Sequence, residues 1–289
     1  MRGRLNGLAL MILASLVPLL SWASGAVLAL VALRRGLFEG ALLAVGGTVV
    51  LAILFGLLFG TPTLAVRPLL ESWVPVLLLA GWLRATISLS GTIRLAGILA
   101  AVAVIGLYLA FPDQAAYWGQ VLARMDELFV GATEQNLQAW RAVRERVLPY
   151  MAGLMVLSQL SVVIAALLLG RWWQGLLYNP GGFRREFHEL DLGRTYALAA
   201  AVLLTVASWR GPGLIYDIAL VVGAVFVLQA LALAHAGVAL RNWSRGWLWV
   251  LYLLLPFAFE LMVVVGIVGA VFGWRRRLQE RAGPDGGPT

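Results

Sequence analysis

The chain has 289 residues, of which 61% are hydrophobic and 12% charged, and its formal net charge at pH 7 is +8. Soluble domains carry roughly 25% charged residues, so this composition indicates an integral membrane protein. All the basic residues are arginines and there is no cysteine. Disulfides, Cys-ligated metals, Schiff-base lysines and a P-loop lysine are therefore excluded. The arginines lie at the ends of apolar runs, which is a feature of membrane topology and not of nucleic-acid binding.

The first 170 residues are predicted to form a six-segment membrane bundle. The apolar segments are approximately 5–20, 26–33, 36–60, 68–83, 93–111 and 148–170. At about 1.5 Å per residue the second cannot cross a 30 Å hydrocarbon core alone. It is therefore tilted, begins earlier, or is a half-helix that lines a cavity. Small residues in the third segment, Gly36 with Gly40 and Gly46 with Gly47, predict close helix contacts.

The longest polar interval, 113–146, is predicted to be an amphipathic helix on the extracytoplasmic side. Its apolar residues follow i, i+3, i+4, i+7 spacing: Trp118, Val121, Leu122, Met125 and Phe129. Such spacing places them on one helix face. The helix would lie on the membrane or fold over the bundle as a lid, or serve only as a connector.

Residues 171–194 are predicted to be a cytoplasmic loop rich in arginine and aromatic residues. The turn signal Asn179-Pro180-Gly181-Gly182 lies at its centre, and no helix or strand is expected to continue through that turn. The mixture of arginine and aromatic residues is typical of a membrane surface. The loop is a candidate surface for partner proteins, and the residues proposed for it are Arg171, Trp172, Trp173, Asn179, Arg184 and Arg185.

The remaining chain, 195–275, is predicted to contain two or three membrane helices, followed by a disordered tail at 276–289. Their segments are 196–209, 214–240 and 247–274. A cytoplasmic N-terminus with alternating crossings places most arginines inside, as the positive-inside rule requires. Nine crossings would leave Arg275 to Arg277 outside, against that rule. Either 196–209 does not cross or another segment is re-entrant, so the fold class is an all-α polytopic bundle of eight or nine segments.

Three polar side chains are predicted to meet near the membrane midplane: Glu260, Gln229 and Gln159. An antiparallel hairpin between 214–240 and 247–274 would bring Glu260 level with residue 227. An ionisable side chain at the helix centre costs about 2.5 to 3.5 kcal/mol, so it requires a partner or a function. The cluster is either an interhelical hydrogen-bond network or a binding or proton-relay site.

Two secondary candidates lie on segment 214–240. His235 is expected to face Tyr252 across the same hairpin, in a packing or hydrogen-bonding role, and Asp217 to cap the N-terminus of its helix. The other histidine, His188, belongs to the surface loop, so no metal site is predicted. Catalytic and cofactor-binding motifs are absent from the sequence, which predicts a protein that is not an enzyme and has no cofactor.

The layout resembles the YybS-like family of uncharacterised bacterial membrane proteins. The resemblance rests on 18–40, where a proline-ended helix leads to a short apolar segment, then Leu33-Arg34-Arg35-Gly36 and a Gly-rich helix. It also rests on 266–277, GIVGAVFGWRRR. Relatives often carry an acidic residue near the position of Gly269, and because this chain has glycine there, no role of that acid is transferred. That family is distantly similar to the S components of energy-coupling-factor transporters.

The resemblance implies a substrate-binding or transport subunit in the bacterial cytoplasmic (inner) membrane, with a small, fairly apolar molecule as its ligand. Its expected partners are the bilayer and either an energising ATPase module or further copies of the chain. The alternative is a non-enzymatic scaffold or assembly factor of the cell envelope. An intramembrane enzyme is the third hypothesis.

Overall fold

The fold is all-helical in the computed structural model, which describes residues 3–17, 20–129, 133–244, 246–275 and 277. No strand occurs within these ranges. The helices are α1 (Arg4–Leu16), α2 (Ser21–Arg35), α3 (Leu37–Phe59), α4 (Val66–Pro68), α5 (Val74–Thr86), α6 (Leu89–Ala110), α7 (Gln114–Ala123), α8 (Glu134–Val147), α9 (Met151–Tyr178), α10 (Gly182–His188), α11 (Arg194–Arg210), α12 (Leu214–Leu240), α13 (Gly246–Leu254) and α14 (Phe259–Val271). The predicted tail, 276–289, lies outside the described residues except for Arg277.

Five helical stretches are long and apolar enough to cross a membrane, and a sixth is counted if the bent pair α13–α14 is one span. The five are Leu37–Phe59, Pro62–Thr86, Leu89–Ala110, Glu134–Tyr178 and Leu214–Leu240. Helices α1, α2 and α11, with 13, 15 and 17 residues, are shorter. Length and composition therefore support a membrane bundle of five or six spans, fewer than the eight or nine segments predicted.

The second predicted segment is longer than its apolar run, because α2 begins at Ser21. Its 15 residues extend about 22 Å. Most of α2 is buried, and it packs closely on α9 at Gly170. A Cβ at Gly170 would lie only 2.7 Å from the carbonyl oxygen of Ala26, so glycine is required for this contact. Of the alternatives for this segment, the earlier start is the one observed.

The glycines of α3 have two different roles. Gly40 and Gly47 are buried, and a Cβ at either would collide with a side chain of a neighbouring helix, Leu77 in the first case and Met11 in the second. Gly36 precedes α3 with φ 106°, a conformation that L side chains rarely adopt, and a Cβ there would meet nothing within 4 Å. The close contacts predicted for the third segment are confirmed at Gly40, while Gly36 makes the turn from α2.

The interval 113–146 is helical where it is described, but its apolar stripe is shorter than predicted. Trp118 and Leu122 on α7 are buried, whereas Met125 is exposed. Helix α7 ends at Ala123 and a 3₁₀ turn follows, so the 3.6-residue period does not extend to Met125. No residue of α8 is buried within the described chain. The side chain of Phe129 lies outside the described part.

Most of the predicted loop 171–194 is helical. Helix α9 continues to Tyr178 and α10 begins at Gly182, so the helix break falls at 179–181, as the turn signal predicts. After α10 the chain crosses the end of the bundle as a segment without regular secondary structure, 189–193, which is called the strap below. Leu190 and Leu192 in the strap are buried with 1% and 0% exposure, which makes this segment part of the core.

The final predicted span, 247–274, is two helices, α13 and α14, between which the chain bends by 117°. The break lies around Pro256, which has no N–H for the helix ladder. Close approaches pair three residues of α12 with three of α14: Gly223 with Val263, Phe226 with Gly266, and Leu233 with Gly269. Residue numbers rise together on both helices, so α14 runs parallel to α12. The antiparallel hairpin assumed from the sequence is therefore wrong for α14.

Both ends of the 246–275 unit lie on the side of the bundle where α12 ends. Helix α13 follows the C-terminus of α12 directly, and Arg275 Nη1 donates to the carbonyl oxygen of Glu189 at 2.7 Å. The strap containing Glu189 follows α10, which contacts α12 near its C-terminus through Phe187 and His235. This end of the bundle, which also holds Arg34, Arg171 and Arg184, is called the arginine-rich side below.

Candidate functional site

The three residues of the predicted midplane cluster lie apart and bind different partners. Gln159 on α9 donates its side-chain Nε2–H to the carbonyl oxygen of Glu71. Glu71 lies one turn before Pro75, whose missing N–H leaves that carbonyl without its usual helical donor. Gln159 therefore satisfies a backbone acceptor that the proline has freed.

Gln229 on α12 holds the strap 189–193. It is 1% exposed, and its Oε1 accepts the backbone N–H of Leu192 at 2.9 Å. The neighbouring N–H of Asp191 donates to Ser90 Oγ at 3.0 Å. These bonds supply acceptors to a buried backbone that has no regular secondary structure. The arrangement indicates a structural role for Gln229.

Glu260 lies in the first turn of α14 and is exposed. Because α14 runs parallel to α12, Glu260 is close to the first turns of α12 and not level with residue 227. The structure does not bring Glu260 together with Gln229 or Gln159.

Asp217 is fully buried and bonded to another helix, which differs from the predicted capping role. Its Oδ2 accepts the hydroxyl proton of Tyr108 on α6 at 2.9 Å. Its Oδ1 lies against Gly153 on α9, where a Cβ would come within 2.5 Å. The residue that caps α12 is Gly213. Asp217 therefore joins three helices near the end of the bundle opposite the arginine-rich side.

A groove on the arginine-rich side brings both histidines of the chain together. His235 Nε2 and Tyr252 Oη are 2.9 Å apart, which confirms the predicted contact. Phe187 packs edge-on against the His235 ring at a centroid distance of 5.6 Å, and the His188 ring lies 6.2 Å away. The described residues contain no group of three or more potential metal ligands.

The groove consists of two adjoining cavities of about 380 and 470 Å³. Arg184, His188 and His235 line both cavities. The first has an apolar wall that includes Leu168, Trp172, Phe183 and Phe187, and the second continues past Val238, Asn242 and Trp243. The groove thus has an aromatic and aliphatic wall, and Arg184 and the two histidines lie where its two parts adjoin.

The electrostatics of the groove favour a negatively charged group. Arg171 is paired with Glu186 at 2.8 Å. In the described chain Arg184 has no such carboxylate partner. Burial lowers the pKa of His188 below its usual value, and the positive charge of Arg184, followed by His235, lowers it further. An anion in the groove would offset both charges and favour protonation of His188.

The six residues proposed as a partner-interaction surface divide into two groups. Arg171 is engaged with Glu186, and Trp173 packs against the core. The side chains of Trp172, Asn179, Arg184 and Arg185 are exposed. Trp172 and Arg184 line the groove, whereas Asn179 and Arg185 do not.

The contact between the two histidines was missed by the sequence analysis. His188 and His235 are 47 positions apart, and the bend that folds the 171–194 segment back over α12 has no local sequence signal. The nearest signal is the pair of alternating leucines, Leu190 and Leu192, which indicates a buried strap directly after His188.

Comparison of the chain with protein-family models, curated proteins and solved structures gives no match.

Proposed function

We propose that this protein is a substrate-binding or transport subunit of the bacterial inner membrane, and that its ligand is a small amphipathic molecule with an anionic group. The observation that carries the proposal is the groove, in which Arg184 and the two histidines lie beside an apolar wall. Among the described residues, no carboxylate pairs with Arg184. The volume of the groove, about 380 Å³ for the first cavity alone, falls within the range of small-molecule sites.

The acidic group of the ligand would lie between Arg184 and His188. Guanidinium groups bind carboxylates and phosphates through two parallel N–H donors. The apolar part would lie along Trp172 and Phe183, which line the first cavity. Binding at the edge of the bundle suits a molecule that enters from the bilayer.

We propose a topology with a cytoplasmic N-terminus and eight crossings, in which the shorter helices α1, α2 and α11 cross together with the five long spans, and α13 and α14 form a re-entrant pair. The parallel course of α12 and α14 and the bond from Arg275 to the Glu189 carbonyl support this topology.

Single cysteines can test this topology, because the natural chain has none. With eight crossings, Asn179→Cys and Arg277→Cys resist impermeant thiol reagents in intact cells, while Gln138→Cys is labelled. Nine crossings require labelling of Arg277→Cys from outside.

The ligand proposal is tested by native mass spectrometry of gently purified protein. We expect wild type to retain an acidic amphiphile and Arg184→Gln to lose most of it. Arg185→Gln is the matched control, because it removes the same charge from an adjacent position that does not line the groove. Equal retention by both variants, or no bound molecule in wild type, would contradict the proposal.

A scaffold function is the second candidate, and α8 is the feature that favours it. None of its 14 residues is buried in the described chain, and Val143 is exposed. A photo-crosslinker at Val143 that captures one envelope protein in cells, together with full activity of Arg184→Gln, would favour the scaffold. Lipid-only crosslinks would remove this support.

A further inference from the structure

A second basic cavity lies on the arginine-rich side, where the start of α1 meets the ends of α2 and α9. Its volume is about 400 Å³, and it is separate from the groove described above. The side chains that matter for its chemistry are Arg4, Arg34, Arg35, Leu30, Leu177 and Tyr178.

The arginines of this cavity differ in how far their charge is compensated. Arg4 forms a two-point ion pair with Glu39, with Nε to Oε2 at 2.9 Å and Nη2 to Oε1 at 2.5 Å. In the described chain, neither Arg34 nor Arg35 has a carboxylate at ion-pair distance. The cavity therefore has two arginines without an ion-pair partner among the described residues.

Arg34 is held in a defined position by Tyr178. Its guanidinium carbon lies 4.2 Å above the centre of the Tyr178 ring. A guanidinium stacked in this way uses its face for the ring, and its N–H donors, which lie in the plane, stay available for an anion. Stacking also restricts the side chain before binding, which lowers the entropic cost of forming further hydrogen bonds.

The rest of the cavity wall is apolar. Leu30 is nearly buried, with 7% exposure, while Leu177 is 59% exposed and lies next to Tyr178 at the end of α9. The arginines and the leucines thus form a basic rim beside a hydrophobic surface. A ligand that matches both has a phosphate joined to an acyl chain.

We infer that this cavity binds the phosphate of an anionic phospholipid, with Arg34 and Arg35 as its donors and Leu30 and Leu177 in contact with the acyl chain. Free phosphate has the same charge chemistry but makes no use of the apolar wall. The binding experiment therefore includes both sources.

The experiment measures phosphatidylglycerol and phosphatidylcholine binding to the full-length protein in detergent by native mass spectrometry. We expect phosphatidylglycerol to bind more tightly, and each arginine to contribute about fivefold in affinity. The double change Arg34→Gln with Arg35→Gln should then remove roughly 25-fold. Removing the acidic group by Glu39→Gln should instead increase the affinity for phosphatidylglycerol.

The matched control is the double change Arg185→Gln with Arg241→Gln, which alters the net charge equally. Arg241 also stacks on an aromatic ring, that of Trp243, at 5.1 Å, but lies outside the cavity. An equal loss of binding in the control would show general electrostatic attraction and overturn the site. Displacement of the lipid by inorganic phosphate at equal concentration would overturn the choice of a phospholipid. Thermal melting verifies that each variant is folded.

Discussion

Gln159 donates its side-chain amide to the carbonyl of Glu71, the acceptor that Pro75 leaves without its normal helical donor. The bond joins α9 to the irregular entry of α5, where the chain forms a short π-helical stretch, Leu69–Trp73. A polar side chain inside a membrane bundle thus has a backbone partner and requires no ligand to explain it.

Gln159→Leu should destabilise the protein by about 0.6 to 1.7 kcal/mol, the range for an interhelical hydrogen bond in a membrane protein. A double-mutant cycle with Pro75→Ala provides the sharper measurement. Alanine at 75 restores an N–H for the Glu71 carbonyl, so Gln159→Leu should cost less in that background. Equal costs in both backgrounds would show that the proline and the glutamine are not coupled. Reversible unfolding in detergent supplies the free energies.

Gln229→Ala should release the strap 189–193. It leaves the buried N–H of Leu192 without an acceptor, at a cost of about 1 to 3 kcal/mol. Hydrogen exchange at residues 190–193 should accelerate more than exchange within α12. Ser90→Ala removes the acceptor of the more exposed Asp191 N–H and should have a smaller effect. Unchanged exchange in the strap of Gln229→Ala would mean that its two buried leucines are sufficient to hold it.

Tyr108→Phe should be more harmful than its small change in shape suggests. It removes the donor to Asp217 Oδ2 and leaves a buried carboxyl unpaired, which costs about 1 to 3 kcal/mol. The double variant Tyr108→Phe with Asp217→Leu removes both polar groups and should recover part of the stability. Glu260→Leu is an exposed control and should change stability by less than about 0.5 kcal/mol. Melting of the four proteins side by side tests this order.

His188 should make the stability of the protein dependent on pH in mildly acidic solution. Its folded-state pKa is lowered by burial and by the charges of Arg184 and His235, so the unfolded chain takes up the proton first as pH falls. The contribution to stability is complete above about pH 6.5, the ordinary histidine pKa, and is lost as pH falls through the lowered value. His188→Gln should therefore lose less stability than wild type between about pH 7 and 5. Tyr252→Phe controls for disturbance of the neighbouring His235. Equal losses of stability in wild type and His188→Gln over this pH range would show that His188 is not the group responsible.

Asp126 should hold α8 against the 3₁₀ turn that follows α7. Its carboxylate accepts from Trp140 Nε1 at 2.6 Å and Arg144 Nη1 at 2.7 Å, and the Trp140 bond is the main cause of its lowered pKa. This stabilisation is present above the ordinary carboxyl pKa of about 4 and is lost as pH falls through the lowered value. Asp126→Asn should increase protease cleavage within 134–147 at pH 7, whereas Glu145→Gln should not. Identical cleavage in all three proteins would argue against the attachment.

The sequence predicts the helices well where their apolar runs are long, as in 214–240, which matches α12 residue for residue. It places the helix break at 179–181 because proline and glycine act locally. The course of the last segment was not predictable in this way. Pro256 signals a bend, but the 117° angle depends on how closely α14 can approach α12, which is decided by tertiary contacts at Gly223, Gly266 and Gly269.

The site residues illustrate the same limit. Hydropathy gave Gln159, Gln229 and Glu260 similar depths, but each helix has its own rotation and the polar groups point to different neighbours. The contact between His235 and Tyr252 was predictable, because α12 and α13 are joined by a short connection. The approach of His188 to His235 was not predictable from the sequence. It requires the strap that follows His188 to cross the bundle and bury Leu190 and Leu192.

The bond from Arg275 to the Glu189 carbonyl also has a consequence for biosynthesis. The two residues are separated by 86 positions, and membrane proteins leave the ribosome from the N-terminus onward. The strap is thus synthesised long before the arginine that binds it. Helix α12 is likewise synthesised before α14, the helix that packs along it. Gly266 and Phe226 come into contact only after residue 266 has been translated. Helix α14 therefore joins the bundle after the helices that precede it in the sequence, and an early stop near residue 260 would leave α12 without this neighbour.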